Sequence, residues 1–239
     1  MPSPPGVRVY ITSTNTNEAT ELCVRSAREL AGHPFAMTVG DNGSTDGSVE
    51  MLSEFERRGW LSLELAPRGR RHWEWLDAWV SACRERFAVF VDGDVEFLGR
   101  PWLAELVEAT VAADAVLTAA EWVAEGPYLG QWFARRFAPW LMLVDVPRAL
   151  AGPLRTVSFR YAEELSGDVA GGKLARDVAG RLTRTALEHD VPWLVMPPGY
   201  RRRYHHVRAL TSPDELPDPP ATYAAIHRRL LRIRRGQER

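Results

Sequence analysis

Asp92 and Asp94 flank a single glycine at the end of the apolar run Phe87-Ala88-Val89-Phe90-Val91. Two carboxylates one residue apart, where a buried strand ends, face one crevice if the turn kinks at Gly93. There they can hold a hard divalent cation that shares its oxygen ligands with substrate phosphates. Such an ion neutralises a diphosphate as its bond to a sugar breaks. The plain alternative is an Asp-Gly-Asp turn satisfied by backbone amides. A second acidic stretch, Asp41-Asn42-Gly43-Ser44-Thr45-Asp46-Gly47-Ser48, follows Met37-Thr38-Val39-Gly40. Asp41 leaves that run placed to accept a hydrogen bond from a base N–H. Gly43 and Gly47 permit tight turns, and Asp46 or Ser48 can cap the next helix. Without a ligand the same residues make an ordinary capped loop.

Other candidates lie later in the chain. His205 and His206 follow Arg201-Arg202-Arg203-Tyr204. Adjacent strand residues point to opposite faces, so only one histidine can complete a metal site with the acidic pair. The three arginines can grip phosphates or stand in solvent. Asp168, at the end of Glu163-Glu164-Leu165-Ser166-Gly167-Asp168, precedes a predicted helix. It can be a general base for an acceptor hydroxyl, or simply an N-cap. Trp122, Tyr128, Trp132, Phe133, Phe137 and Trp140 offer aromatic faces to a sugar or flat acceptor, or pack a core.

These residues need strands and helices to position them. The patterning predicts strands at 7–12, 35–39, 61–65, 87–91 and 115–119. Helices are expected at 18–30, 47–58, 72–86 and from Pro101 to about Ala112. Asn15 with Glu18 resembles a capping box. This βαβ rhythm predicts an α/β fold, a mainly parallel sheet covered by helices, with its ligand crevice at the carboxyl ends of the strands. The second half is less regular. Strands are expected at 140–146, 193–196 and 204–207, a glycine-interrupted helix at 168–188, a linker at 217–220, and a basic amphipathic helix at 223–235.

The chain has 239 residues, 45% of them hydrophobic and 26% charged, which suits one globular domain. A formal net charge of −1 gives no support for nucleic-acid binding. Cys23 and Cys83 form neither a disulfide framework nor a zinc pattern, and no signal-peptide or membrane-spanning run is present. A cytoplasmic protein is the expectation. The division expected is a disordered N-terminus at 1–6, one domain at 7–215 with halves at 7–120 and 121–215, and a linker with the basic helix at 216–239. That helix can pack by its leucines or lie peripherally on anionic lipid.

Taken together, the chain resembles a family 2 glycosyltransferase with the GT-A fold over residues 7 to about 210. The resemblance rests on the opening strand with Thr14 and Asn15, the Asp41-Asn42-Gly43-Ser44-Thr45-Asp46 motif, Phe90-Val91-Asp92-Gly93-Asp94-Val95, the 140–146 strand and His205-His206. It implies inverting transfer from a UDP-, GDP- or dTDP-linked sugar to a small-molecule, lipid, peptide or glycan acceptor. It implies that Thr12, Asn15 and Asp41 contact base and ribose, that Asp92 meets the donor, and that Asp94 with His205 or His206 binds Mn²⁺ or Mg²⁺. Asp168 stands where many members carry the base, often within Glu-Asp; here the pair is Gly167-Asp168. Where many members have an Asn/Gly-rich stretch, this chain has Arg68 to Asp77. Arg71 or His72 is expected to face the diphosphate and Asp77 the donor, or the segment is a solvated helix start. A nucleotidyltransferase would want a Gly-rich, Lys/Arg-bearing loop after the first strand, and Ser13 to Asn17 lacks both. A non-catalytic module on the same scaffold would need broken acidic motifs, and these are intact.

Overall fold

The computed structural model describes residues 6–66, 70–128, 131–165, 173–207, 210 and 218–237. Asp168, the Gly171-Gly172 pair, Arg68 and most of the proline-rich N-terminus lie outside the described residues.

In chain order the elements are β1 (Val7–Ser13), α1 (Asn17–Leu30), β2 (Ala36–Asp41), α2 (Ser48–Arg57), β3 (Ser62–Leu65), α3 (His72–Ala82), β4 (Phe87–Asp92), β5 (Val95–Phe97), α4 (Trp102–Ala112), β6 (Leu117–Ala119), β7 (Trp122–Val123), β8 (Gly126–Tyr128), β9 (Gln131–Phe133), β10 (Arg136–Phe137), β11 (Leu141–Asp145), α5 (Val146–Ala151), β12 (Ala162–Leu165), β13 (Lys173–Arg176), α6 (Gly180–Glu188), β14 (Trp193–Val195), β15 (Tyr204–His206) and α7 (Pro219–Gln237). Seven strands form one mostly parallel sheet in the order β14-β6-β11-β4-β1-β2-β3. By contacts the chain gathers into two compact units. One comprises Met1–Arg8, Arg71–Phe90 and Leu106–Gly199; the other comprises Val9–Arg70, Val91–Glu105 and Tyr200–Arg239.

In the second of these units, β1, β2 and β3 lie side by side, with β2 and β3 parallel and Asp41 opposite Leu65. Val9, Ile11 and Val39 are fully buried, as expected for strands covered on both faces. Leu22, Cys23 and Ala27 of α1 and Leu52 and Phe55 of α2 are buried at helical spacing. The ring of Trp102 stacks on Phe97 at 3.8 Å, and its indole N–H donates to the Ala27 carbonyl at 3.0 Å. α7 lays Ile226 and Leu230 against Ala19 and Leu22 of α1. The face of the basic helix that carries Ile226 and Leu230 is therefore packed inside the protein. Two of its basic residues also pair with α1: Arg234 grips the buried carboxylate of Glu21, and His227 meets Glu18 at 2.6 Å. No helix among the described residues is long and apolar enough to cross a membrane.

In the other unit, β11 runs antiparallel to β6 and β14 parallel to it. Every residue from Phe87 to Phe90 is buried. A smaller sheet, β12-β13-β9-β8, occupies much of the less regular half. Lys173–Arg176, expected in a helix, is instead β13, paired with β12 and parallel to β9. Pairing along its whole length with β12, and at Leu174 and Ala175 with β9, overrides local propensity. In the aromatic run Phe137 and Trp140 are buried, Trp122, Trp132 and Phe133 are half-buried, and Trp122 meets Phe137 edge-on at 5.2 Å. Trp193 stacks on Trp122 at 5.9 Å and keeps 44% of its surface exposed.

An ion pair in this unit sets an acid limit. Arg8 donates twice to Glu85 Oε1, at 3.0 and 2.7 Å. These bonds hold the Glu85 carboxyl at about 2, against an ordinary value near 4.5. A carboxyl depressed in the fold stabilises it above its unfolded value and loses that contribution as pH falls. Glu85→Gln is expected to lower stability at pH 7 by about 1 kcal/mol, given the pair's partial exposure. The gap between variant and wild type should close between pH 4.5 and 2. Urea midpoints across pH check this, and a gap that persists at pH 2 would contradict it.

Candidate active site

Strand ends in the unit containing β1, β2 and β3 bring the acidic motifs together. Ser13 ends β1 and Asp41 ends β2, and the Asn42 N–H donates to the Ser13 carbonyl at 3.0 Å. Asp92 ends β4 and opens the Asp92-Gly93-Asp94 turn. A Cβ built on Gly93 would lie 2.5 Å from the Thr12 carbonyl oxygen and 3.0 Å from Thr20 Oγ1. Only a residue without a side chain lets the turn press this closely on the end of β1 and on α1.

The turn leads into β5, which pairs antiparallel with β15. In this register His206 lies opposite Val95 and His205 opposite Glu96. The Val207 N–H donates to the Asp94 carbonyl at 3.1 Å, fastening the end of β15 to the turn. His206 Nε2 stands 3.2 Å from Asp94 Oδ1 and 3.8 Å from Asp92 Oδ2. One ligand atom from each of the three side chains lies within 4.8 Å of the others. Ligands about 2.1 Å from an octahedral ion sit roughly 3.0 Å apart as neighbours and 4.2 Å apart as opposites, so the observed spacings fit one cation. The two carboxylates suit Mn²⁺ or Mg²⁺, and the imidazole adds a nitrogen ligand that the softer Mn²⁺ accepts more readily than Mg²⁺.

His205 faces away from this group. Its Nδ1 is 3.1 Å from Arg229 Nη1 of α7. Burial, and then the Arg229 charge, hold its pKa below the ordinary histidine value. Beneath the turn, the buried thiol of Cys23 points at the Asp92 carbonyl, 3.7 Å away. Burial and the charges of Asp94 and Asp92 push that thiol well above its usual pKa, so it stays protonated.

Asp41 has no exposed surface. Oδ1 accepts from the Ser44 N–H at 2.8 Å and Oδ2 from the Ser44 hydroxyl at 2.7 Å, so the carboxylate folds its own loop back. Asn15 does not cap α1 in a box with Glu18. It sits in the left-handed region at φ 49°, its N–H donates to Ser44 Oγ, and its Oδ1 accepts from the Thr45 N–H at 2.8 Å. The cap comes from the other loop, since Asp46 Oδ2 accepts the Asn17 N–H at 2.8 Å. Asp46 Oδ1 also accepts from the Ser48 N–H and hydroxyl at the start of α2. Thr12 is half-buried beside the Gly93 turn.

Arg71 and Asp77 belong to the other unit. Arg71 is exposed at the start of α3, where its N–H donates to Glu74 Oε2 at 2.7 Å. Asp77 accepts from the Ser158 hydroxyl and, at 2.8 Å, from the Phe159 N–H, which anchors that segment to α3. Of the three arginines before β15, Arg203 forms a two-bond pair with Glu105, while Arg201 and Arg202 are exposed. Sequence reasoning gave no part to Arg229 in this neighbourhood. A lone arginine in a basic helix carries no local signal of its distant partners.

A family model described as Glycosyl transferase family 2 matches residues 8–164. The chain belongs to that family. Its fold is the GT-A fold. One similar solved structure is the mannosyltransferase PcManGT from Pyrobaculum calidifontis, in complex with GDP-Man and Mn²⁺. It is 18% identical with a TM-score of 0.57, over 82% of this chain and 56% of that one. The family 2 chain thus spans little more than half the length of that relative. S. aureus TarS in complex with UDP-GlcNAc aligns over 47% of this chain and 33% of its own, at 16% identity and a TM-score of 0.40. No curated protein matches the sequence.

Proposed function

We propose that this protein transfers a sugar from a nucleotide-sugar donor to an acceptor hydroxyl, with inversion and with help from a divalent cation. The observation that carries the reading is the grouping of Asp92, Asp94 and His206 at the end of β4 in a family 2 fold. Asp94 and His206 would hold Mn²⁺ or Mg²⁺, with Asp92 completing the set toward the donor. When bound, the ion supplies charge neutralisation to a departing nucleoside diphosphate. The cation and nucleotide-sugar in the PcManGT complex support this assignment.

The chain's own residues do the positioning. Thr12, Asn15 and the loop folded by Asp41 would border the base and ribose, with the Ser13–Asn42 bond holding the two strand ends together. Asp168 is our candidate for accepting the acceptor's proton. Arg71 is proposed toward the diphosphate. Asp77 is proposed to act on the donor side through the segment it anchors. The acceptor class stays open among small molecules, lipids, peptides and glycans. With Ile226 and Leu230 packed on α1, α7 would meet anionic lipid through outward charges such as Arg228 and Arg232, both exposed. A nucleotidyltransferase and a non-catalytic scaffold are the competing readings.

The test is thermal unfolding against UDP-, GDP- and dTDP-sugars, with and without Mn²⁺. A ligand at a hundredfold excess over its Kd adds about 2.7 kcal/mol to the folded state. For a chain this size that is roughly 5–10 °C in Tm. A metal-dependent rise with one nucleotide is expected, followed by metal-dependent release of the nucleoside diphosphate. No rise with any donor would sink the proposal and favour the non-catalytic scaffold.

A further inference from the structure

The strands that bring His206 to the acidic turn are only three residues each, Val95–Phe97 and Tyr204–His206. A two-stranded ribbon is marginal by itself. Something must hold this one in register, because His206 reaches Asp94 only through that pairing.

α7 supplies a side chain placed to do so. Arg229 Nη1 donates to Glu96 Oε2 at 2.7 Å and lies 3.1 Å from His205 Nδ1. Glu96 is on β5, His205 is on β15, and the two are direct cross-strand partners. One guanidinium nitrogen, with its two N–H groups, therefore spans both strands of the ribbon. Glu96 is only 7% exposed as a residue, so the pairing is a charge-assisted one shielded on its carboxylate side. The helix carrying Arg229 is itself fixed to α1 by Ile226, Leu230 and the Arg234–Glu21 pair. The same α1 supplies Thr20, against which the Gly93 turn rests. One helix thus supports the carboxylate side of the site directly and the histidine side through α7.

We propose that Arg229 is a positioning residue for the cation site: it staples β5 to β15 and so sets His206 at ligand distance from Asp94. The inference rests on the reading of Asp92, Asp94 and His206 as cation ligands. It extends the site to a residue that touches neither metal nor substrate. Groups that orient metal ligands from behind commonly change affinity by about 10–100-fold when removed.

Mn²⁺ binding to the full chain, followed by loss of the free-ion electron paramagnetic resonance signal, tests it alongside Tm. Arg229→Met is expected to weaken Mn²⁺ binding roughly tenfold. Arg229→Lys keeps the charge and carries three N–H donors on one nitrogen at the end of a shorter, more flexible side chain, so it should bind Mn²⁺ better than Arg229→Met and no better than wild type. Arg234→Met removes an equally charged anchor of α7 away from the ribbon, and is expected to lower Tm without changing Mn²⁺ affinity. Asp94→Asn and His206→Ala should abolish tight binding. If both ligand variants weaken binding while Arg229→Met binds as wild type does, the staple is wrong and the cation site stands. If Arg234→Met weakens Mn²⁺ as much as Arg229→Met does, general loosening replaces the staple. Binding that ignores Asp94 and His206 would overturn the cation reading and the inference with it.

Discussion

Asp94→Asn is expected to reduce metal-dependent turnover of a nucleotide-sugar by about a hundredfold or more, whereas Asp46→Asn stays within a few-fold of wild type. Both changes keep the side-chain shape and remove one negative charge, so the contrast isolates location. Asp94 offers its carboxylate to a shared space with His206 Nε2, 3.2 Å away, and Asp92. An amide there halves the charge that two carboxylates bring to a cation. Asp46 instead spends both oxygens on the backbone of Asn17 and Ser48. Burial pushes its carboxyl up, but the hydrogen bonds from Ser48 and Asn17 outweigh this and hold it below the usual range. Its contribution to stability is therefore complete at neutral pH and lost as pH falls through the depressed value. An amide has one acceptor oxygen instead of two, so Asp46→Asn should cost stability of about 1 kcal/mol and little catalysis. Steady-state rates at saturating Mn²⁺ decide it. Equal turnover of Asp94→Asn and wild type would remove the metal from the mechanism.

The second large effect is expected at Gly93. Gly93→Ala places a methyl 2.5 Å from a backbone oxygen at the end of β1, which the sheet holds in place. The strand cannot retreat as the tip of a flexible side chain would, so the Asp92-Gly93-Asp94 turn must lift. Overpacking of this kind costs about 1–3 kcal/mol. Here it would also displace both carboxylates, so Mn²⁺ affinity and urea midpoint should fall together. Gly126→Ala, where a Cβ meets nothing within 4 Å, is the matched control and should leave both unchanged. A Gly93→Ala protein that binds Mn²⁺ like wild type would show that the position of this turn does not set the cation site.

What could be read from residues alone follows from how far each interaction reaches along the chain. The Asp41–Asp46 and Asp92–Asp94 motifs sit at strand ends marked by their own apolar runs, so strand, turn and carboxylate are encoded within about ten residues. Alternation along a strand limited the late histidines to one per face, but choosing His206 needed its register against Val95, about 110 positions away. Asn15 looked like a cap because Glu18 follows it. The true cap for the first N–H of α1 is Asp46, which no local window contains. Lys173–Arg176 looked helical because strand pairing with β9 and β12 leaves no mark in a segment so short. Asp77 is expected on the donor side because its segment stands where many family members carry an Asn/Gly-rich stretch; its bonds to Ser158 and Phe159, about 80 positions on, leave no mark in that segment.

The cross-loop bonds of Asp41, Asn15 and Asp46 carry a further meaning for affinity. Residues 13–17 and 41–48 are sewn together through Ser13–Asn42, Asn15–Ser44, Asn15–Thr45 and Asn17–Asp46. Loops that fold only around a ligand give up conformational entropy at the moment of binding, typically about 0.5–1.5 kcal/mol for each rotamer-rich side chain immobilised. In this protein that cost is met during folding, by bonds the chain makes to itself. On the proposed donor reading, a nucleotide entering here would meet a preorganised rim, and more of each contact it forms would be left to appear as binding free energy.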